Sequence, residues 1–349
     1  MTQDPTARAA VWTGQGFDLR TLPLPHPAPG EVLVEVGLAG ICGSDRHTVA
    51  GRRPAPCPSI LGHESVGRIQ ALGGVVHDVS GRPLLPGQRV VWGVAVACGS
   101  CDRCAAGLSA KCRTVRKVGH EPFDGQWPLS GGYASHLLLP AGSALVAVPE
   151  PMDNRAAALT SCAVATAVTC VETAENLRGR PLQGSRALVV GAGALGVAAC
   201  AALHELGSTV WISDPNPERA AQAMSFGADQ ALAEGTRVDL AIDFSGVADG
   251  VRLALDRLDL AGVAVLAGTV APGHEVQLDP ERVVRNYWRI AGVHNYEPRH
   301  LLAAVGLVDR TRALGWERLT APPEPLSELA RLVTSSPSDP RVLRSSVAP

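Results

Sequence analysis

The first half of the chain alternates short apolar runs with turn residues. Turn-forming pairs such as Pro29-Gly30, Pro86-Gly87 and Gly131-Gly132 separate these runs. Many short strands at this spacing are typical of a sandwich or a small barrel, so we predict a β-rich domain over residues 1–160. The runs cover residues 10–12, 31–36, 64–72, 89–94, 133–139 and 144–148.

From about residue 160 onward, buried-strand runs alternate with helical patterns. Strands alternating with helices of this length predict βαβ units and a parallel sheet over residues 161–295. Pro-rich sequence returns over residues 296–349, and a final strand after Ser335 is expected to rejoin the first domain. The strands predicted for the parallel sheet are 186–190, 209–213, 238–243, 263–267 and 289–293, with helices over 194–206 and from Pro217.

Composition narrows the class of protein. The chain has 349 residues, with 31 Lys and Arg against 33 Asp and Glu, so its formal net charge is −2. This balance argues against a nucleic-acid binder. No signal-peptide core follows Met1 and no apolar run is long enough for a membrane span, so we expect a cytoplasmic protein without membrane partners. In that reducing compartment the nine cysteines are expected to be metal ligands or buried thiols.

Four cysteines lie close together in the spacing C-x2-C-x2-C-x7-C. Four thiolates at about 2.3 Å satisfy Zn²⁺ tetrahedrally and leave no open position, so this zinc would be structural. An iron–sulfur cluster is the alternative for four cysteines, and incidental cysteines in a loop are a weaker one. The ligands predicted for the structural zinc are Cys98, Cys101, Cys104 and Cys112.

A second set of metal-binding residue types is spread along the chain. Cys42 lies in Gly-Ile-Cys-Gly-Ser-Asp, His63 in Gly-His-Glu, and Cys162 in Leu-Thr-Ser-Cys. Taken singly, such a cysteine is more often a small core residue, and such a histidine is more often structural. Together they supply three N and S ligands, which a catalytic zinc with one open position needs.

A glycine-rich turn follows the predicted strand at 186–190 and opens the next helix. Its sequence is Gly191-Ala192-Gly193-Ala194-Leu195-Gly196. In this context the glycines permit a tight turn and let a pyrophosphate approach the helix N-terminus. Asp214 ends the next strand, where an acidic side chain hydrogen-bonds the adenosine ribose and disfavours a 2′-phosphate. NAD is therefore predicted rather than NADP, and a helix cap is the alternative role of Asp214.

The order of these motifs carries a resemblance. The two ligand motifs, the four-cysteine lobe and the glycine-rich turn follow one another as in the zinc-dependent medium-chain alcohol dehydrogenases, which the chain resembles from about residue 10 to its end. The resemblance implies a β-rich chaperonin-10-like (GroES-like) catalytic domain over 1–160 and 296–349. It also implies an inserted Rossmann domain over 161–295, with the active site in the cleft, and a homodimer or homotetramer joined through the Rossmann sheets.

The resemblance assigns the catalytic zinc to Cys42, His63 and Cys162, and it assigns roles to their neighbours. Glu64 would be a carboxylate that approaches the metal as ligands exchange, and Asp45 would orient the histidine ligand. Ser44 would hydrogen-bond the substrate hydroxyl, and His47 would relay its proton to solvent through the cofactor ribose. A hydroxyl and a histidine suit that proton path, and plain helix capping is the alternative for Ser44 and Asp45.

The remaining cofactor contacts are also implied by the resemblance. Thr166 would contact the nicotinamide, and the strand end at Gly268 would hold the cofactor through its backbone. Some relatives carry an arginine after the first ligand cysteine, but this chain has Gly43 there. The pyrophosphate arginine would therefore be Arg341, with Arg344 as the fallback.

One segment suggests a substrate class. Residues 292–301 look like a signature of a subgroup proposed to be associated with phosphonate catabolism. A phosphonate-bearing alcohol would need cationic side chains around it. His120, Trp127 and Trp92 could equally line an apolar substrate pocket. The cationic candidates are Arg46, Arg52, Arg53, Arg116, His120, Arg299 and His300.

The predicted function is reversible hydride transfer between an alcohol and NAD at a zinc ion, with an aldehyde or ketone as product. One alternative is a zinc-free quinone or enoyl reductase of the same fold, and the complete Cys42, His63 and Cys162 set argues against it. Another is a non-catalytic NAD-binding protein, and Ser44 with His47 argues against that.

Overall fold

The structure, a computed structural model, describes residues 5–123, 125–269 and 275–349. The chain divides into two compact units. The first comprises Met1–Cys162, Glu297–Ser338 and Val342–Pro349, and the second comprises Ala163–Tyr296 and Asp339–Arg341. The predicted division after residues 160 and 295 lies within two residues of these bounds, but residues 339–341 group with the second unit instead of the first.

The first unit begins with short strands, because its apolar positions alternate over brief runs bounded by glycine and proline. Its first helices are α1 (Gly43–Val49), α2 (Asp102–Ala105) and α3 (Asn154–Leu159). Its strands up to residue 150 are β1 (Thr6–Trp12), β2 (Phe17–Pro23), β3 (Val32–Gly40), β4 (Ser59–Ile60), β5 (Glu64–Leu72), β6 (Arg89–Trp92), β7 (Ala95–Val96), β8 (Arg116–Lys117), β9 (His136–Leu139) and β10 (Leu145–Ala147).

Pairing between β3 and β5 positions the candidate site. The two strands are antiparallel, and Gly40 at the end of β3 pairs with Glu64 at the start of β5. The residues that follow β3 therefore lie beside those that precede β5. A strand was predicted over 133–139, but β9 begins only at His136, where its pairing with β3 begins.

The second unit is a βαβ fold, as its alternating pattern predicts. Its strands lie in the order β13-β12-β11-β14-β15-β16 and every pair is parallel. The predicted strands 186–190, 209–213 and 238–243 match the structure residue for residue. The elements are α4 (Ala165–Arg178), β11 (Arg186–Val190), α5 (Ala194–Glu205), β12 (Thr209–Ser213), α6 (Pro217–Met224), β13 (Gln230–Ala231), β14 (Val238–Asp243), α7 (Ala248–Asp256), β15 (Leu258–Leu266), α8 (Pro280–Arg285) and β16 (Arg289–Gly292).

The C-terminal part of the chain returns to the first unit, as expected. It forms α9 (Pro298–Arg310), β17 (Glu324–Pro325), α10 (Leu329–Thr334) and β18 (Ser346–Ala348). Strand β18 pairs antiparallel with β3, with Val347 opposite Ala39. This pairing brings the residues just before β18 next to those just after β3.

One helical stretch of the described residues, Asn154–Arg178, is long and apolar enough to cross a membrane. Its most apolar window is 72% buried within the protein, as in the core helix of a globular fold. The prediction that no apolar run reaches this length was therefore wrong for this stretch. It contains a π turn over Thr160–Val164, between α3 and α4.

Candidate active site

The three dispersed ligand residues come together in the first unit. The ligand atoms of Cys42, His63 and Cys162 all lie within 4.8 Å of one another. Cys42 is the N-cap of α1, directly after β3, and His63 immediately precedes β5. Cys162 lies in the π turn, a local widening of the helix that is frequent at functional sites.

The donor set fits zinc. Two thiol sulfurs and one imidazole are ligand types that zinc prefers, and three protein ligands leave a position for substrate. Cys42 is 8% exposed and His63 is 3% exposed, so the set is largely shielded from water. A hydrogen bond from the Cys162 thiol holds the pKa of Cys42 well below its usual value, against the effect of burial. Cys42 is therefore placed as the thiolate that a metal requires.

Asp45 and Tyr133 lie on the far side of the histidine ligand. The Asp45 Oδ1 atom is 3.5 Å from His63 Nδ1, which leaves Nε2 facing the cysteines. Asp45 Oδ2 accepts hydrogen bonds from the Cys42 backbone N–H and from the Tyr133 hydroxyl, both at 3.0 Å. Burial lowers the pKa of His63, but Asp45 and Cys42 together outweigh burial, and the pKa is raised well above its ordinary value. Asp45 thus also caps α1, while its role in orienting a metal-bound histidine stays a prediction.

The predicted proton path starts beside the ligands. Ser44 Oγ lies 3.4 Å from His63 Nε2, on the same side as the cysteines. His47 lies on α1, one turn further along, and its Nδ1 accepts a hydrogen bond of 2.9 Å from Arg52 Nε. Burial, together with the positive charge of Arg52, lowers the pKa of His47. The ring is therefore kept neutral, as a proton acceptor must be.

Glu64 has a partner that sequence analysis assigned elsewhere. Its two carboxylate oxygens accept hydrogen bonds from Arg344 Nε and Nη2, at 2.7 and 3.2 Å. Both residues are buried, and burial raises the pKa of Glu64. Arg341, the residue expected at the pyrophosphate, is exposed and its guanidinium makes two hydrogen bonds to Asp339. The fallback Arg344 therefore lies beside the metal ligands, within 4.0 Å of Cys42 Sγ.

The four-cysteine lobe also gathers as predicted. Its four sulfurs lie within 4.8 Å of one another, and backbone N–H groups of Cys98 and Thr114 point at the Cys112 sulfur. Backbone donation from Ser100 lowers the pKa of Cys98 to about 5, whereas desolvation raises that of Cys104 to about 12. Four clustered sulfurs that receive hydrogen bonds are a donor set that fits a closed tetrahedral zinc.

The glycine-rich turn has the geometry of a phosphate-binding helix start. Gly191 has a φ of +95°, and a Cβ on Gly196 would lie 1.8 Å from the Gly191 carbonyl oxygen. Gly193 is the N-cap of α5, and a Cβ there would meet no atom within 4 Å. Ala194 and Leu195 form the first turn of α5. The first and last glycines thus build the turn, and Gly193 leaves open space where a ligand can approach.

The other predicted cofactor residues lie in the second unit. Asp214 accepts backbone hydrogen bonds from Ala192 at 2.7 Å and from Asn216 at 2.8 Å, so it shapes the glycine-rich turn as well as the next loop. Thr166 lies in the first turn of α4 and is 8% exposed. Gly268 packs on Gly246, where a Cβ would approach the Gly246 nitrogen to 2.3 Å. The next part of that segment, from Val270, lies outside the described residues.

Several cationic candidates have structural partners. Arg46 donates to the carbonyl oxygens of Val333 and Ser335, and Arg116 stacks on Trp127. His300 accepts a hydrogen bond from the Glu297 backbone, and Glu297 accepts hydrogen bonds from Ser109 and Ala110. Part of the segment that suggested phosphonates therefore ties α9 to the four-cysteine lobe.

His120 is the candidate that lies at the metal ligands. Its ring centroid is 5.2 Å from that of His63. Burial holds the pKa of His120 well below its usual value, and the charges of His63, Arg53 and Lys117 lower it further. Lys117 is one of two lysines in the chain, and sequence analysis assigned it no role. Its rarity was the signal that could have drawn attention to it.

Comparison with known families agrees with this arrangement. Residues 28–150 match the family described as alcohol dehydrogenase GroES-like domain, and residues 194–310 match the family described as zinc-binding dehydrogenase. The two matches together span more than half of the chain. The first lies within the first unit, and the second covers most of the second unit and continues into α9 of the first.

Two of the similar curated proteins are named as dehydrogenases. The 5-exo-hydroxycamphor dehydrogenase of Pseudomonas putida is 35% identical over 65% of this chain and 62% of that enzyme, slightly under two thirds of its length. The L-threonine 3-dehydrogenase of Chelativorans is 28% identical over 81% of each chain.

Solved structures share the whole fold. An alcohol dehydrogenase from Thermotoga maritima superposes with a TM-score of 0.91 at 25% identity, covering 99% of this chain and 100% of that one. The acetophenone reductase of Geotrichum candidum, solved with NAD, has a TM-score of 0.80 at 25% identity and covers 99% of this chain and 97% of its own. The chain therefore belongs to the family of zinc-dependent medium-chain alcohol dehydrogenases.

Proposed function

We propose that the chain oxidises an alcohol reversibly with NAD⁺ at a zinc ion held by Cys42, His63 and Cys162. The observation that carries this proposal is the convergence of these three ligand atoms within 4.8 Å, beside a serine hydroxyl. Zinc bound there supplies Lewis acidity, which lowers the pKa of an alcohol hydroxyl toward neutrality. Hydride transfer to a nicotinamide then needs no covalent enzyme intermediate.

The chain's own residues manage the proton. Ser44 Oγ accepts a hydrogen bond from the substrate hydroxyl and passes the proton on toward His47. Because His47 Nδ1 already accepts a hydrogen bond from Arg52, the neutral ring carries its proton on Nε2. A second proton must bind Nδ1, where it displaces the hydrogen bond from Arg52. The ring is then positively charged beside the Arg52 guanidinium, which favours release of the proton to solvent.

The cofactor proposal is NAD. Asp214 at the end of β12 would hydrogen-bond the adenosine ribose hydroxyls, and its negative charge disfavours a 2′-phosphate. Gly191, Gly193 and Gly196 would seat the pyrophosphate at the start of α5, with Thr166 and Gly268 toward the nicotinamide. Arg341, rather than the internally paired Arg344, keeps the pyrophosphate role in this proposal, because its guanidinium is exposed.

The substrate proposal is an alcohol that bears an anionic group such as a phosphonate. Arg53 and Lys117 are half-buried, and both act electrostatically on His120 next to the metal ligands. Glu121 is the acidic residue that acts on Lys117 among the described residues. Cations outnumber the acid here, so an anionic substituent would be attracted toward the metal site.

Compartment and assembly are proposed on two further observations. All nine cysteines are free, which suits the reducing cytoplasm. Exposed apolar residues lie around the edge strand β16 of the second unit and support a homodimer or homotetramer: Leu260, Val284 and Tyr287.

The proposed function is tested by metal analysis and NAD⁺ reduction with zinc-loaded protein. We expect two zinc ions per chain, one of which is lost in Cys42→Ser. A wild type without zinc at the Cys42, His63 and Cys162 site would favour a reductase that lacks the catalytic zinc, and absence of turnover with every alcohol would favour a binding protein. The substrate panel pairs 2-hydroxyethylphosphonate and longer hydroxyalkylphosphonates with the same alcohols lacking phosphorus.

A preference for the phosphonates should depend on Lys117. We expect Lys117→Gln to reduce the kcat/KM ratio between charged and neutral alcohols by about tenfold, because one charge-assisted contact is lost. Arg103→Gln, a cation on α2, is the matched control. Equal turnover of charged and neutral alcohols by the wild type would overturn the anionic substrate and leave the dehydrogenase standing.

A further inference from the structure

We propose that Tyr133 is a positioning residue for the catalytic metal, acting on His63 through the Asp45 carboxylate and through the Gly62 backbone. The inference rests on the proposed zinc site of Cys42, His63 and Cys162. Tyr133 holds the two groups that determine where the His63 ring points.

The hydroxyl contact fixes the carboxylate. Asp45 is 0% exposed, so water cannot hydrogen-bond its carboxylate. Protein donors must supply those hydrogen bonds instead. Tyr133 Oη donates to Asp45 Oδ2 at 3.0 Å, and the Cys42 backbone N–H donates to the same oxygen at 3.0 Å. With Oδ2 held by two donors, Oδ1 is directed at His63 Nδ1, 3.5 Å away. The carboxylate thereby links the first cysteine ligand to the histidine ligand.

The ring contact fixes the backbone. Gly62 has a φ of +92°, and a Cβ there would lie 2.8 Å from Tyr133 Cδ1 and 2.9 Å from Cε1. Backbone hydrogen bonds hold the same two segments together, from Tyr133 N to the Leu61 oxygen at 3.0 Å and from Gly132 N to the Gly62 oxygen at 2.8 Å. The residue before His63 is therefore packed directly on the aromatic ring.

These contacts separate a positioning role from a purely structural one. Tyr133→Phe keeps the ring that packs on Gly62 and removes only the hydroxyl. A phenylalanine would fill the same core volume, so a residue needed only for packing would tolerate the change. A residue that orients a metal ligand would not tolerate the change, because loss of the hydrogen-bond partners of a metal-bound histidine weakens metal binding.

The test measures zinc affinity by competition with a chelator, site by site, in wild type and Tyr133→Phe. We expect the catalytic site to lose about 10- to 100-fold in affinity while the four-cysteine site keeps its zinc. In the cobalt-substituted protein we expect the visible d–d bands to shift, since the ligand geometry changes. Ser130→Ala is the matched control, because Ser130 is buried three residues away and its hydroxyl has no hydrogen-bond partner in the described structure.

A double-mutant cycle with Asp45→Asn tests the route. If Tyr133 acts through the carboxylate, Tyr133→Phe costs much less zinc affinity in the Asp45→Asn background than in the wild type. Equal losses in both backgrounds, or unchanged affinity and cobalt bands in Tyr133→Phe alone, would overturn the proposal. A wild type that binds zinc only at the four-cysteine site would instead overturn the proposed function.

A measurement without substitution covers the case in which a variant fails to fold. The chain has three tyrosines, so fluorotyrosine labelling gives a simple ¹⁹F spectrum. We expect the Tyr133 resonance to move when zinc fills the catalytic site. The Tyr287 resonance should stay in place, because that side chain is 72% exposed on the other unit. A Tyr133 resonance that ignores zinc would contradict the proposal.

Discussion

At the scale of single residues, the site is organised by hydrogen bonds behind the reacting groups. His47 is held by Arg52, Asp45 is held by the Cys42 backbone and Tyr133, and Glu64 is held by Arg344. Each partner changes the charge or the orientation of the group that it holds. Substitutions of these partners should therefore alter function in ways that differ from loss of the reacting groups themselves.

Arg52 should affect the pH dependence of the reaction. Its positive charge, in addition to burial, lowers the pKa of His47, so removing that charge raises the pKa. His47 must be neutral to accept a proton. When the pH is lowered, Arg52→Gln should therefore lose activity at a higher pH than the wild type does. We expect the acid limb of kcat/KM to move up by roughly half a pH unit. An acid limb that coincides with wild type would exclude the relay role, and Arg20→Gln on exposed β2 is the control.

The ion pairs of Arg344 and Arg341 should contribute very differently to the free energy of unfolding. Arg344→Met leaves the buried Glu64 carboxylate without its partner, which should cost about 3–5 kcal/mol in the free energy of unfolding. Arg341→Met breaks an exposed pair and should cost about 0–1 kcal/mol. Urea unfolding of both variants measures the difference. Similar losses for the two would mean that the Glu64 carboxyl is neutral or is satisfied in another way.

At the scale of elements, the glycine-rich turn separates folding from binding. A side chain on Gly196 would collide with the Gly191 carbonyl oxygen, whereas a side chain on Gly193 would enter open space. The two glycines belong to one motif but serve different purposes. One lets α5 pack tightly after β11, and the other leaves the helix N-terminus accessible.

Alanine substitutions at the two glycines should affect different properties, thermal stability at Gly196 and cofactor affinity at Gly193. Gly196→Ala is expected to lower the melting temperature by several degrees, because the backbone must shift to accept the Cβ. Gly193→Ala should melt like the wild type but bind NAD⁺ at least about tenfold more weakly, because the methyl group occupies the pyrophosphate approach. Calorimetry and fluorescence titration with NADH measure the two effects. Normal NADH affinity in Gly193→Ala would place the pyrophosphate elsewhere.

At the scale of the whole molecule, the second unit carries an uncovered apolar surface. Val284 is 73% exposed and Tyr287 is 72% exposed, next to the edge strand β16. An edge strand flanked by apolar side chains is a suitable surface for pairing with a second copy.

Charge placed on that surface should dissociate the oligomer. We expect Val284→Asp to reduce the mass seen by sedimentation, since burying an unpaired carboxylate is unfavourable. Val75→Asp is the matched control, because Val75 is 80% exposed in the loop after β5 of the first unit. If Val284→Asp sediments like the wild type while Val75→Asp dissociates, subunits associate through the first unit instead.

Local features could be predicted from the sequence because their chemistry is contained in a short segment. The four ligands of the lobe lie between Cys98 and Cys112, and the glycine-rich turn lies within six residues. Strands β11, β12 and β14 were also predicted to the residue, because each is a short, mainly apolar run between turn-forming residues. In the first unit, the bounds of β3 and β9 depend on pairing partners, and the alternating pattern placed them less well.

The amino-acid sequence alone determined three features of this protein. They are the types of metal ligand, the dinucleotide-binding turn and the order of the two folds along the chain. These follow from local spacing and from backbone preferences. The tertiary structure decided which distant residues meet. It turned Arg344 onto Glu64 and put the Tyr133 hydroxyl on Asp45, whereas the grouping of Cys162 with Cys42 was already expected from the residue types and the family resemblance. Those contacts depend on strand register and on core packing between segments far apart in the chain, which no local pattern encodes.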